Sequence, residues 1–272
     1  MKTVLIIVGG MADLPEDELN GQTPLMLAHT PSMDHLAQAG FTFSLPMRGY
    51  EKSVTTRSSV FQLLGYDMLK GLPTESELME FGLEHSPEIE KIKNPYIILP
   101  EFSGHGEVLT TSPLVRGIGK LALLSAVDLY ALGVKEENLM HQIARITVNR
   151  LPDQEFIMIY VDGPEKASMK GSWKEKIKSI EMIDRELVTP IADFAWHSDE
   201  IITIGVVSDH VSSWKWKRNF AGPTPGTIYV NDMDEKEDNI FDELAVQIQG
   251  YNANSSYEFI KMLIHFPFGY PG

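Results

Sequence analysis

Residues 3–8, Thr-Val-Leu-Ile-Ile-Val, form an unbroken apolar and β-branched run that stops at Gly9-Gly10. A run without polar alternation predicts a strand covered on both faces, as in a parallel sheet, that empties into a loop. The design recurs at 155–161, followed by Asp162-Gly163-Pro164, and at 201–207, followed by Ser208-Asp209-His210. Residues 227–230 predict a fourth strand. Between these runs the period changes to helical. Thr30 as N-cap, Pro31 in the first turn, an apolar stripe of Met33, Leu36 and Ala37, and Gly40 as stop predict a helix over 31–39. Ile177, Ile180, Ile183, Leu187 and Ile191 share one face of a segment from about 173 to 195, which Pro190 is expected to kink or split. Residues 58–64 predict a helix ending at Gly65, 125–130 a helix ended by Gly133, and 257–264 a closing helix. From 70 to about 119, Pro73, Pro87, Pro95, Pro100 and Pro113 weaken any period, and a connection with one strand at 96–99 is expected. Strands alternating with helices predict an α/β sandwich around a mostly parallel sheet, with ligands at the carboxyl ends of the strands.

Composition narrows the chemistry. With 272 residues, 43% of them hydrophobic, one compact domain with a substantial core is expected. The absence of cysteine removes disulfides, thiolate nucleophiles and thiolate metal sites, so any metal must rest on His, Asp or Glu. A formal net charge of -15 argues against nucleic-acid binding, which relies on Lys and Arg replacing counterions. No apolar run is long enough to span a bilayer, and residues 4–8 are too short for a signal peptide, so a cytoplasmic protein without membrane contact is expected. Thr55, Thr56 and Arg57 would lie at a helix N-terminus, where free N–H groups favour an anion and a nucleophile is well placed.

Five segments in order carry a resemblance. They are Gly9-Gly10-Met11-Ala12-Asp13 with 21–25 and 30–37 behind it; Thr55-Thr56-Arg57 leading to Leu64-Gly65-Tyr66-Asp67; 125–129; 161–171; and Ser208-Asp209-His210 through Pro225. With their spacing they resemble the archaeal-type cofactor-independent phosphoglycerate mutases of the alkaline phosphatase superfamily. The resemblance implies an alkaline-phosphatase-like three-layer sandwich over residues 1–272. It also implies that about 84–119 is a shortened remnant of the family's inserted substrate-binding domain.

Members of that family are thought to pass a phosphoryl group from substrate to a Ser and back between two divalent metals. By position, Thr56 is similar to the nucleophile, while Gly9 stands at a metal-binding Asp, Met169 and Asn219 at metal-binding His residues, and Arg57 and Lys166 at acidic positions. Asp209 and His210 keep the family's ligand types, and Glu165 replaces an Asp with a side chain one methylene longer. No cofactor is therefore expected, or at most a single Mn, Zn or Mg ion on a vestigial site of Asp209, His210 and Glu165. Arg57, Lys166 and Lys170 stand near where metals would sit, and are read either as an anion site or as solvated charges. Thr56 is read as a residual nucleophile or an N-cap. Met11 and Met169 are expected to pack. Trp214 and Trp216, interleaved with Lys215 and Lys217, are read as a contact patch or as aromatics folded inward.

Three functional readings follow. The first is a pseudoenzyme that has lost two-metal phosphoryl transfer and binds a small anionic or phosphorylated ligand. The second is a divergent metal-dependent phosphatase, phosphotransferase or mutase using Thr56 with a reduced metal site. The third is a subunit that acts through a protein partner or as a homo-oligomer.

Overall fold

The computed structural model describes residues 1–49, 54–66, 72–83, 105–231 and 240–265. Ten strands are present among them: β1 (Lys2–Val8), β2 (Phe41–Met47), β3 (Gly106–Leu109), β4 (Ser125–Ala126), β5 (Phe156–Val161), β6 (Ile202–Ser208), β7 (Val211–Ser213), β8 (Arg218–Phe220), β9 (Gly222–Val230) and β10 (Tyr251–Asn252). Eight of them form one sheet in the order β10-β2-β9-β6-β1-β5-β3-β4, and β7 and β8 form a separate hairpin. All pairs of the large sheet are parallel except those that β9 makes with β2 and β6. The fold expected from the apolar runs is present: an α/β sandwich around a mostly parallel sheet.

The unbroken apolar runs are explained by the two cores. Val4, Ile6 and Val8 of β1 point to one face, with Ile157, Ile159 and Val161 of β5 and the helices Pro31–Ala39, Leu139–Arg150 and Trp173–Ile183. Leu5 and Ile7 point to the other, with Phe156, Met158 and Tyr160 and the helices Thr56–Leu63, Pro113–Leu121 and Tyr257–His265. At roughly 25 cal/mol per Å² of apolar surface removed from water, this double coverage is the main stabilising term.

Several expectations are corrected. Residues 125–130 form no helix: Ser125 and Ala126 pair with Glu107 and Val108 of β3, and Asp128 accepts the N–H of Ala131 in a turn. The helix lies further on, at Leu139–Arg150. The stretch read as connection holds the helix Glu75–Leu83, β3 and the helix Pro113–Leu121. Gly82 and Gly117 let these two helices meet backbone against backbone, where any Cβ would collide with a carbonyl. Of the span 84–119, residues 84–104, with the strand expected at 96–99, lie outside the described residues, while β3 joins the central sheet beside β5. Pro190 does divide the long helix. Asp184–Val188 is a π-helical turn between Trp173–Ile183 and Thr189–Trp196, which accommodates the missing N–H.

Candidate functional site

The three central strands end side by side. Val8 is in register with Val161 on one flank and Ser208 on the other, so Gly9, Asp162 and Asp209 follow at one end of the sheet. Gly10 has φ +61°, and a Cβ on it would meet the Cβ atoms of Ser212 and Glu165 at 2.6 and 2.9 Å. The loop turns there with both hairpin and helix pressed against it, which only glycine permits.

Asp209 and His210 are fully buried. Asp209 Oδ1 accepts the N–H of Gly10 at 2.9 Å. His210 Nδ1 lies 2.9 Å from the same oxygen, as an ion-pair contact rather than an aligned hydrogen bond, and Nε2 faces Glu165 Oε1 at 3.2 Å. Asn219, on β8, donates its amide N–H to Glu165 Oε1 at 2.8 Å. On the other carboxylate oxygen, Glu165 Oε2 accepts the Thr56 hydroxyl at 3.3 Å, and the Tyr160 hydroxyl lies 3.5 Å from both that oxygen and Thr56 Oγ1.

Thr55, and not Thr56, caps the helix Thr56–Leu63. Its hydroxyl accepts Ser58 N–H while Ser58 Oγ accepts Thr55 N–H, a reciprocal capping box. Thr56 is thereby the first helical residue and its hydroxyl is free to face Glu165. Glu165 itself stands in the first turn of the helix Gly163–Lys170.

Each charge in the cluster is set by its neighbours. Burial alone would push His210 down, but Asp209 and Glu165, one at each ring nitrogen, raise it to about 10. Burial would raise Glu165, and the opposing hydrogen bonds from His210, Asn219 and Thr56 together with the imidazolium charge hold it below the usual carboxylate range. Tyr160 is pushed well above an ordinary phenol by burial and then by the Asp209 and Glu165 charges, so it remains a hydrogen-bond donor.

Tyr160 was not among the residues singled out from sequence, and it decides how the site can be used. A Cβ on Gly9 would lie 2.5 Å from the Tyr160 hydroxyl and 3.0 Å from its Cζ. The phenol fills the volume that any side chain at position 9 would need. Only the coincidence of a large polar residue near the end of β5 with a glycine after β1 hints at this, and the two are too far apart in sequence for the pattern to connect them.

The residues do not fit a pair of divalent metals. Position 9 offers no donor and has no room for one; Asn219 presents an N–H to Glu165, not an oxygen to a cation; and both His210 nitrogens face carboxylate oxygens. Among the described residues no group of three or more His, Asp or Glu is arranged to hold a metal. Met169 does not pack as expected and is 37% exposed, whereas Met11 is fully buried. The three cations near the site have separate engagements. Arg57 donates to the carbonyls of Pro73 and Leu72 at 2.6 and 3.0 Å, Lys166 pairs with Asp162 at 2.9 Å, and Lys170 with Glu175 at 3.3 Å. Of the tryptophans, Trp214 is buried and Trp216 exposed.

A second buried polar network, also unmarked in the sequence, underlies the loop. Lys176 is fully buried and donates to Asp13 Oδ2 at 2.7 Å, Ser212 O at 2.7 Å and Ala12 O at 3.0 Å. It thus joins the Gly9–Asp13 loop to β7. Asp13 N–H and the Thr23 hydroxyl in turn donate to the two oxygens of Glu243, at 3.0 and 2.7 Å. Burial raises Glu243 to about 7, against these hydrogen bonds and the charge of Lys176.

No family model matches the chain. It is 31% identical to a 2,3-bisphosphoglycerate-independent phosphoglycerate mutase of Methanosarcina mazei over 162 residues, 58% of this chain and 40% of that protein. With the enzyme of the same description from Methanosarcina acetivorans the figures are 29% over 197 residues, 72% of this chain and 48% of that protein. The chain thus spans less than half the length of these curated relatives. Among solved structures, the PH0037 protein of Pyrococcus horikoshii superposes with TM-score 0.76 at 19% identity, covering 100% of this chain and 98% of that one. The cofactor-independent phosphoglycerate mutase of Thermoplasma acidophilum does so with TM-score 0.65 at 16% identity, covering 97% and 99%. The chain is similar in sequence to archaeal 2,3-bisphosphoglycerate-independent phosphoglycerate mutases and has the fold of the cofactor-independent phosphoglycerate mutase of Thermoplasma acidophilum.

Proposed function

We propose that this protein is a pseudoenzyme, a phosphoglycerate-mutase-like core that has given up two-metal phosphoryl transfer and serves as a binding or regulatory module for a small anionic ligand. The observation that supports this lies at positions 9 and 160: Gly9, which by resemblance stands at a metal-binding Asp, carries no side chain, and the Tyr160 phenol fills the space one would need. Phosphate-monoester cleavage is among the slowest uncatalysed reactions, with enzymes supplying up to ~10²¹-fold, and a site without its clamping dications lacks the largest source of that acceleration. The Thr56 hydroxyl is itself turned toward Glu165 at 3.3 Å, which suits a fixed site more than one that cycles through a phosphorylated hydroxyl.

The test is an assay for interconversion of 2- and 3-phosphoglycerate with Mn²⁺, Mg²⁺ or Zn²⁺ supplied, beside a calorimetric titration of chelator-stripped protein with each metal. No turnover and no stoichiometric binding are expected. Metal-dependent turnover that disappears in Thr56→Ala would overturn the reading and establish an enzyme with a reduced metal site.

A further inference from the structure

The groups around Glu165 have one property in common: each of the four that reach its carboxylate does so as a donor. Asn219 offers an amide N–H, Thr56 and Tyr160 offer hydroxyls, and His210 offers the nitrogen opposite the one that faces Asp209. These donors come from a helix start, from β5, from the loop after β6, and from β8. A site built to clamp cations presents acceptors; this one presents donors to a single carboxylate, half of them to each oxygen.

We infer that the position once suited to metals is now a carboxylate-binding cradle whose resident ligand is the chain's own Glu165, and that, emptied of it, the cradle accepts a free monocarboxylate. This rests on the proposed loss of the metal centre. The geometry selects the ligand class. The donors are paired on the two oxygens of one planar carboxylate, which a monocarboxylate reproduces, while a phosphate would bring in further oxygens that meet none of these donors, and a buried polar atom without a partner is costly. The shape agrees, because truncating Glu to Ala removes a methylene and a carboxylate, the heavy atoms of acetate. In the intact protein Glu165 holds the cradle closed, with its side chain 18% exposed, so a free carboxylate is admitted only when Glu165 is removed.

The experiment uses Glu165→Ala in the full chain and reads thermal unfolding with sodium acetate, sodium phosphate or sodium chloride at matched ionic strength. Wild type should respond to the three salts alike. The variant should unfold at a lower temperature and regain about 3 °C in saturating acetate, and less in phosphate. Adding Asn219→Leu to the variant should abolish the acetate response, as one donor is lost. If Glu165→Ala does not fold unaided, its refolding yield with and without acetate reads the same equilibrium. Equal responses to all three salts, or a larger response to phosphate, would overturn the inference. A response of wild type to divalent metal would instead strike at the proposed loss of the metal centre, so the two failures are distinguishable.

Discussion

Two glutamates that adjoin the Gly9–Asp13 loop have been pushed in opposite directions. Glu165, half-buried, is held below the ordinary carboxylate range, while Glu243, buried, is raised to about 7. Both accept hydrogen bonds on both oxygens, so the number of bonds is not what separates them. The difference lies in the charge of the donors. Glu165 receives an imidazolium in addition to a hydroxyl and an amide. Glu243 receives a backbone N–H and a hydroxyl, both neutral, because the nearest cation, Lys176, spends its hydrogen bonds on Asp13 and two carbonyls. Neutral donors satisfy geometry without replacing the lost hydration of a full charge. One glutamate is therefore a stable anion and the other is poised to take up a proton, within one fold and a short distance of one loop.

The comparison breaks most completely at Lys176. Replacing it by Met keeps most of the length and removes the charge, leaving Asp13 buried with no cation and the Ala12 and Ser212 carbonyls each with one donor fewer. A loss of ~3–5 kcal/mol in folding stability is expected, measured by urea denaturation near neutral pH. The second effect is the pH dependence at Glu243, which faces Thr23, the Asp13 N–H and the more distant charge of Lys176. Its folded pKa lies above its unfolded value, so the folded state holds the proton more tightly. Its contribution favours folding fully below about pH 4.5 and is lost as pH rises through about 7. The span corresponds to ~3 kcal/mol. Glu243→Gln should remove that slope from a stability–pH curve, whereas an unchanged slope would locate the titration elsewhere.

How much of this was legible in the sequence depends on whether the information was local. β1, β5 and β6 were readable because strands covered on both faces carry unbroken apolar runs, and the helix Pro31–Ala39 because its cap, proline and stop lie within ten residues. β2 was missed because Pro46 obscures it, although Pro46 lies at the strand's end in register with Pro223. The helices Glu75–Leu83 and Pro113–Leu121 were missed because Gly82 and Gly117 sacrifice local propensity for a close crossing that exists only in three dimensions. In the site, Thr56, Glu165, Asp209 and His210 were found through the family motifs and do come together. Asn219 was read as a lost ligand, and the sequence had no means of showing that its amide now serves Glu165. Tyr160 and Lys176 sit in an apolar run and a helical stripe, where nothing local marks them.

The fit of Tyr160 against Gly9 can be examined directly. Gly9→Ala places a methyl 2.5 Å from the phenol oxygen, and an overpacking cost of ~1–3 kcal/mol is expected. Tyr160→Phe removes that oxygen. In the double variant the two changes should be coupled, with a smaller loss than their sum, measured as a double-mutant cycle of unfolding free energies. Strict additivity would mean that the loop moves aside, and that the phenol is not what closes position 9.

The smallest effect separates the cradle from the helix that delivers Thr56 to it. Thr55→Ala removes the hydroxyl that accepts Ser58 N–H but touches none of the groups that reach Glu165, and the loss of one N-cap is worth ~1 kcal/mol. If the helix start is held mainly by its cap, Thr55→Ala in the Glu165→Ala background should also weaken the acetate response, because Thr56 would lose its fixed position. If the packing of Val60, Phe61 and Leu63 into the core holds the helix, stability should fall by that amount while the acetate response persists. The second outcome is expected, since three fully packed apolar side chains outweigh one hydrogen bond several-fold.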